Sequence, residues 1–221
     1  VTTGRPDVVI AIVDSGIRWD RTTDCNLLRK YFLNRGELPV PAGGPNPDDR
    51  RFGGYDVNGD GVFNIEDYAS DPRGTDANGS GWIDPEDLIL LFGDGVDDDG
   101  NGYTDDISGW DFFEGDNDAR DDVDFGHGSS QAGNAGAESA LPGAACTAGG
   151  AYYFGHAAGA CPNCMIMPLR YSDSFVGDVN HFGEAVVYAA DNGVSVVEVA
   201  AGTFNATSFG QEAVEYARGL G

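Results

Sequence analysis

Two side chains that can hold and pass a proton stand where a fold could bring them together. Asp14 ends the unbroken apolar run VVIAIV over residues 8–13 and is followed by Ser15 and Gly16. A carboxylate at the end of such a run is costly to bury without a partner. His127 stands in the stretch GHGSSQAG over residues 126–133, whose small residues predict a closely packed helix beginning near the imidazole. A buried Asp that accepts from a histidine Nδ1–H is two-thirds of a Ser-His-Asp machine. The carboxylate fixes the ring tautomer and steadies the imidazolium; the ring takes a serine proton and returns it to the leaving amine. On residue type alone, Asp14 capping its Ser-Gly turn and a structural His127 remain open alternatives.

A second chemistry lies between residues 34 and 106, where Pro, Gly, Asp and Asn dominate and apolar runs are short. So long a stretch with little helix or strand signal needs something else to order it, and a metal ion is the candidate. Two segments align at a 20-residue offset: Asp56, Asn58, Asp60, Gly61, Val62 and Asp67 recur as Asp76, Asn78, Ser80, Gly81, Trp82 and Asp87. Oxygen side chains fall at loop positions 1, 3 and 5, a Gly at 6, a carbonyl at 7 and a carboxylate at 12, the spacing of an EF-hand-type calcium loop. Asp in place of Glu at position 12 and the short repeat resemble the duplicated loops of dockerin modules. Tyr68 and residues 88–92 would form the short following helices. A third cluster has Asp97, Asp99, Asn101, Gly102 and the carbonyl of Tyr103, with Asp105 and Asp106 as earlier closing carboxylates. Ca2+ is therefore the expected cofactor.

Around these residues the elements alternate. Residues 8–13 read as a strand buried on both faces. A helix is expected over 24–32, capped by Thr23 or Asp24, with Leu27, Leu28, Tyr31 and Phe32 at helical spacing. Residues 107–113 predict a short strand or docking segment, and 140–155 a loop or small hairpin. Residues 165–169 predict a strand, with Pro168 placing it at an edge or an end. Asp178 caps a helix to about Asn192, Gly193 ends it, residues 194–199 form a strand, and Ser208 caps a last helix to Arg218. Strands alternating with helices of this length imply an α/β fold, a parallel sheet with helices on both faces.

Composition narrows the partners. The chain of 221 residues carries 37 acidic against 12 basic residues, a net charge of -25. That excludes nucleic acid and anionic membrane surfaces as expected partners and suits divalent cations or a salty exterior. No segment is long and apolar enough to span a membrane. Both ends read as cuts within a longer protein, so the lack of a signal peptide carries no information. Of Cys25, Cys146, Cys161 and Cys164, the last two form a CxxC. Half a zinc site, a disulfide and buried thiols all remain open for it.

Several of these stretches resemble one family. VVIAIVDSGI is similar to the Asp motif of the subtilisin-like serine proteases, the subtilases, and DFGHGSSQAG to their His motif. CPNCMIMPLR resembles the next core strand, and GVSVVEVAAG the strand leading to the substrate-binding stretch. Asn34-Arg-Gly-Glu37 and DGVDDDGNGYTDDISGWDF resemble the segment before the His motif in one bacterial branch. The resemblance covers residues 1–33 and 93–221, so residues 39–92 read as an insertion carrying the paired calcium loops. It implies a three-layer fold, Asp14 orienting His127 as general acid and base, and Ala200, Ala201 and Gly202 pairing with an extended polypeptide substrate. No G-T-S-x-A serine motif is present, so the nucleophile and the oxyanion donor are expected beyond the chain, and residues 1–221 alone are expected to be inactive. Ser129, Ser130, Ala200 and Ala201 depart from the family pattern. The implied protein is a calcium-stabilised serine endopeptidase, secreted or at the cell surface. The alternative is an inactive binding module whose calcium-loop insertion attaches to a protein partner.

Overall fold

The computed structural model describes residues 3–19, 26–138 and 158–221. Four strands form one sheet: β1 (Val9–Asp14), β2 (Trp110–Asp111), β3 (Met165–Arg170) and β4 (Val196–Glu198). Their order is β2-β3-β1-β4 and every neighbouring pair is parallel. The helices are α1 (Pro85–Phe92), α2 (His127–Gly136), α3 (Val179–Asp191) and α4 (Ser208–Leu220), with a one-turn 3-10 helix at Ile65–Tyr68.

Alternation along the inner strands sorts the core into layers. Ile10, Ile12 and Ile166 face Trp19, Leu27, Tyr31 and Ala132 of α2. Ala11, Val13, Met167 and Leu169 face Ala185, Tyr188 and Ala189 of α3 on the opposite side. The α/β architecture expected from sequence, with helices on both faces of a parallel sheet, is the one observed. A third cluster of Leu33, Leu38, Phe63, Ile65, Tyr68, Leu88 and Ile107 lies under the acidic loops. The middle block thus shares its small core with residues on either side of 39–92.

Three expectations are corrected. No helix runs over the described part of 24–32: residues 26–30 form turns and Tyr31 bridges Ile166. Leu27 and Tyr31 are buried there without a helix, because the backbone is drawn to β3, where Phe32 N donates to Ile166 O at 2.7 Å and Ile166 N to Lys30 O at 2.6 Å. Thr23 and Asp24 lie outside the described residues. Pro168 is in an interior strand, paired with Ile12. Its missing N–H falls where the neighbour on the β2 side changes. Ile166 N is met by Lys30 O two residues earlier, and Arg170 O accepts from Phe112 N two residues later. There Gly109 (φ +80°) lies so close that a Cβ would sit 1.8 Å from Pro168 O. Finally, Thr207 rather than Ser208 caps α4, its Oγ1 accepting from Gly210 N at 3.1 Å. The helix over residues 179–191 is capped by Asp178 and followed by Gly193 at φ +69°, as the sequence predicts. Residues 140–155 lie outside the described residues.

Candidate active site

Asp14 is the last residue of β1 and is fully buried. Its Oδ1 accepts from Ser15 N at 2.8 Å, so the strand end itself orients the carboxylate. His127 is the first residue of α2. Its Nδ1 lies 2.8 Å from Asp14 Oδ1 and 2.9 Å from Oδ2, across 113 positions of sequence. The ring is 26% exposed while the carboxylate is sealed. With Nδ1 held, Nε2 is the nitrogen left to exchange protons with a substrate or a nucleophile. No serine among the described residues hydrogen-bonds to His127.

The approach depends on small residues. A Cβ on Gly128 would lie 2.2 Å from Gly16 O and 3.2 Å from Asp14 Cβ, so only a glycine lets α2 close on the end of β1. Gly128 N donates to Ser15 Oγ at 3.2 Å and Arg18 N to Ser129 Oγ at 2.9 Å. Buried Asp121 holds the chain just before the helix by accepting from Phe125 N and Gly126 N. Aromatic rings stand beside the imidazole, with Phe125 and Phe175 centroids 6.1 and 6.0 Å away.

The stretch expected to bind substrate follows β4. Ala200 and Gly202 are exposed and Ala201 is half-buried. Gly202 pairs with the Phe175 segment: its N–H donates to Phe175 O at 2.7 Å and its carbonyl accepts from Gly177 N at 3.0 Å. A cleft of about 630 Å³ opens beside that segment, lined in part by Phe113, Ser172, His181 and Phe204.

The acidic loops have one repeated geometry. The first carboxylate of each accepts from the backbone five residues on: Asp56 from Gly61 at 2.9 Å, Asp76 from Gly81 and Asp97 from Gly102 at 2.8 Å. Gly59, Gly61, Gly79, Gly81, Gly100 and Gly102 all have positive φ. Asn58, Asn78, Asp99 and Asn101 each accept from the backbone two residues on, as does Asp60 from Val62 N. Ser80 Oγ instead directs its one proton at Asp84 Oδ2, 3.0 Å away, with the Trp82 carbonyl the farther acceptor at 3.3 Å. Asp67 closes the first loop by accepting from Val57 N, Asn58 N and Asn64 N, and Asp87 closes the second in the same way through Ala77 N, Asn78 N and Asp84 N.

In the third loop that place is taken from outside. Glu37 Oε1 accepts from Asp98 N at 3.0 Å and Asp99 N at 3.1 Å, the counterparts of the two amides that Asp67 and Asp87 hold. Glu37, Asp97 and Asp99 bring oxygens within 4.8 Å of one another, a donor set that fits a hard cation. Burial, with the charges of Asp106 and Asp99, pushes the Glu37 carboxyl up. Sequence reasoning missed Glu37 as a member of this acidic set, because it lies 60 positions from the loop and no local spacing marks it. Asp105 turns to Asp94 N and Gly95 N instead, and buried Asp106 accepts from Asn34, Asn101 and Tyr188. Tyr103 spends its ring in the α3-side core.

Cys161 and Cys164 form a disulfide, which closes the zinc alternative for that pair; Cys25 and Cys146 lie outside the described residues. Among the described residues no helix is long and apolar enough to cross a membrane. No curated protein matches the chain. The model of the subtilase family matches residues 5–221. With Asp14 at a strand end, His127 opening the next helix and a parallel sheet between two helical layers, the chain belongs to the subtilase family and carries a serine protease-like domain.

Proposed function

We propose that the protein is a calcium-stabilised serine endopeptidase that cleaves extended polypeptides, with Asp14 as the orienting carboxylate and His127 as the general acid and base. The carrying observation is the two-oxygen grip of Asp14 on His127 Nδ1. Held so, the ring takes a serine hydroxyl proton during attack on the scissile carbonyl and returns it to the leaving amine. The attacking serine and the oxyanion donor come from chain following Gly221, and residues 1–221 alone do not hydrolyse peptides. Ala200 and Ala201 supply backbone to a substrate strand, while the Gly202 N–H and carbonyl are taken by the Phe175 segment; the exposed aromatic rings and the adjacent cleft offer apolar contact.

Residues 39–92 act as a calcium-loop insertion. Asp56, Asn58, Asp60, Asp67 and the Val62 carbonyl hold one ion. Asp76, Asn78, Ser80, Asp87 and the Trp82 carbonyl hold another, and Glu37 with Asp97, Asp99, Asn101 and the Tyr103 carbonyl a third. When bound, calcium neutralises carboxylates that otherwise repel one another and so orders the loops. The disulfide, the acidic charge and the calcium sites support a secreted or cell-surface protein.

The test is hydrolysis of an unstructured protein by the polypeptide extended through its serine segment, compared with its H127A variant. Calcium-supported cleavage by wild type and none by H127A is expected. No cleavage by wild type in calcium would contradict the enzyme and leave the binding-module alternative.

A further inference from the structure

A carboxylate outside the Asp14–His127 pair faces it from the neighbouring strand. β1 and β4 run parallel with Ile12 beside Glu198. Cross-strand neighbours share a face, as do residues two apart along a strand, so Glu198, Ile12 and Asp14 lie on one side of the sheet. Ile12 packs there with Ala132 of α2, the helix that His127 opens. Glu198 is therefore a diagonal neighbour of Asp14, roughly 7–8 Å away on the sheet's own spacing. Its Oε2 is buried and accepts no hydrogen bond from the described residues. A buried carboxylate oxygen without a donor is unfavourable, and the residues flanking Glu198 on this face of the strand, Val196 and Ala200, make no use of it.

We propose that Glu198 is a positioning residue for the general base: ionised, it joins Asp14 in stabilising the His127 imidazolium and so sets the pH at which the ring can accept the serine proton. The proposal rests on the catalytic reading of Asp14 and His127. The charges that face Glu198 are few. β1 offers Asp14, α2 carries no titratable side chain but His127, and β4 has no other. α3 packs against the opposite face through Ala185, Tyr188 and Ala189. The signs agree: burial first, then Asp14, push the Glu198 carboxyl up, and His127 pulls it down. Coupling is mutual, so an anion favoured by the imidazolium favours the imidazolium in turn. Removing that anion lowers the His127 midpoint and moves the acid limb of the pH–rate profile to lower pH.

The experiment is an NMR titration of residues 1–221 as wild type, E198Q, E198D and D14N, with His127 assigned among the three histidines through an H127N sample. In E198Q the His127 midpoint should fall by about half a pH unit, and E198D should restore most of it. An unchanged midpoint in E198Q overturns the proposal. Should E198Q not fold, the wild-type Glu198 carboxyl carbon decides: an inflection at the His127 midpoint supports the coupling, and its absence overturns it. D14N separates the two readings. If His127 moves in D14N but not in E198Q, only the role of Glu198 fails. If it moves in neither, the Asp14–His127 reading fails as well.

Discussion

At the scale of single residues, the imidazole is held by both oxygens of one buried carboxylate, and Ser15 N–H fixes that carboxylate in turn. The two-oxygen grip explains why amide replacement should be severe although D14N keeps the shape. An Asn can present its NH2 to Nδ1 and so favour the wrong tautomer. In the serine-bearing polypeptide, D14N is expected to lower kcat by about 10⁴-fold with little change in KM, read by steady-state peptide hydrolysis. A drop of less than about tenfold would mean that Asp14 does not orient the base. This pair was legible in the sequence through the resemblance of VVIAIVDSGI and DFGHGSSQAG to the subtilase Asp and His motifs, residue type alone leaving structural roles open. Glu37 and Glu198 were not. Each acts through chain distant in sequence, Glu37 on the amides of Asp98 and Asp99 and Glu198 across the β1–β4 register.

At the scale of elements, α2 reaches β1 because its second residue has no side chain. The Cβ of G128A would strike backbone rather than a flexible side-chain end. Its cost is expected at about 1–3 kcal/mol, the range of overpacked cores, read by urea denaturation, together with a displaced His127 ring resonance. A wild-type midpoint and an unmoved resonance would refute the close-packing account. The third acidic loop makes a separate test. E37Q should weaken one calcium site by at least about tenfold in calorimetry and leave the first two loops unaltered; unchanged affinity at every site would remove Glu37 from the ligand set. Most strands and helices were readable from apolar runs and caps, and the two failures that touch the sheet share a cause. The spacing of Leu27 and Tyr31 matched a helix, yet the backbone of Lys30 and Phe32 bonds to Ile166. Pro168 matched an edge, yet its missing N–H falls at a change of partner. Tertiary pairing overrode local preference in both places.

At the scale of the whole molecule, a net charge of -25 makes stability sensitive to bound cations and to pH. Chelation should destabilise the fold, because an ion bound only by folded loops contributes about 4 kcal/mol per site at a thousandfold excess over its Kd. An unchanged Tm in excess chelator would contradict calcium stabilisation. Lys30 adds a signature at alkaline pH. Its ammonium is buried and donates to Pro162 O at 2.8 Å. Burial, with Arg29 adding and Glu138 opposing, lowers its pKa from 10.5 to about 8. Between those values the unfolded chain binds more protons than the folded one, so Lys30 makes stability rise with pH from about 8 to 10.5. Buried Tyr68 and Tyr188, whose phenols are raised, act in the opposite sense at higher pH. The difference between wild type and K30M isolates the lysine. It should shift in favour of wild type across that window, and a difference constant with pH would refute a depressed Lys30. The most direct measurement of the central claim is labelling by a serine-directed fluorophosphonate. The polypeptide carrying its serine segment should be labelled rapidly in calcium, its H127A variant and residues 1–221 alone should not, and labelling of either of those two at the wild-type rate would contradict the assignment of Asp14 and His127 to a catalytic triad completed beyond Gly221.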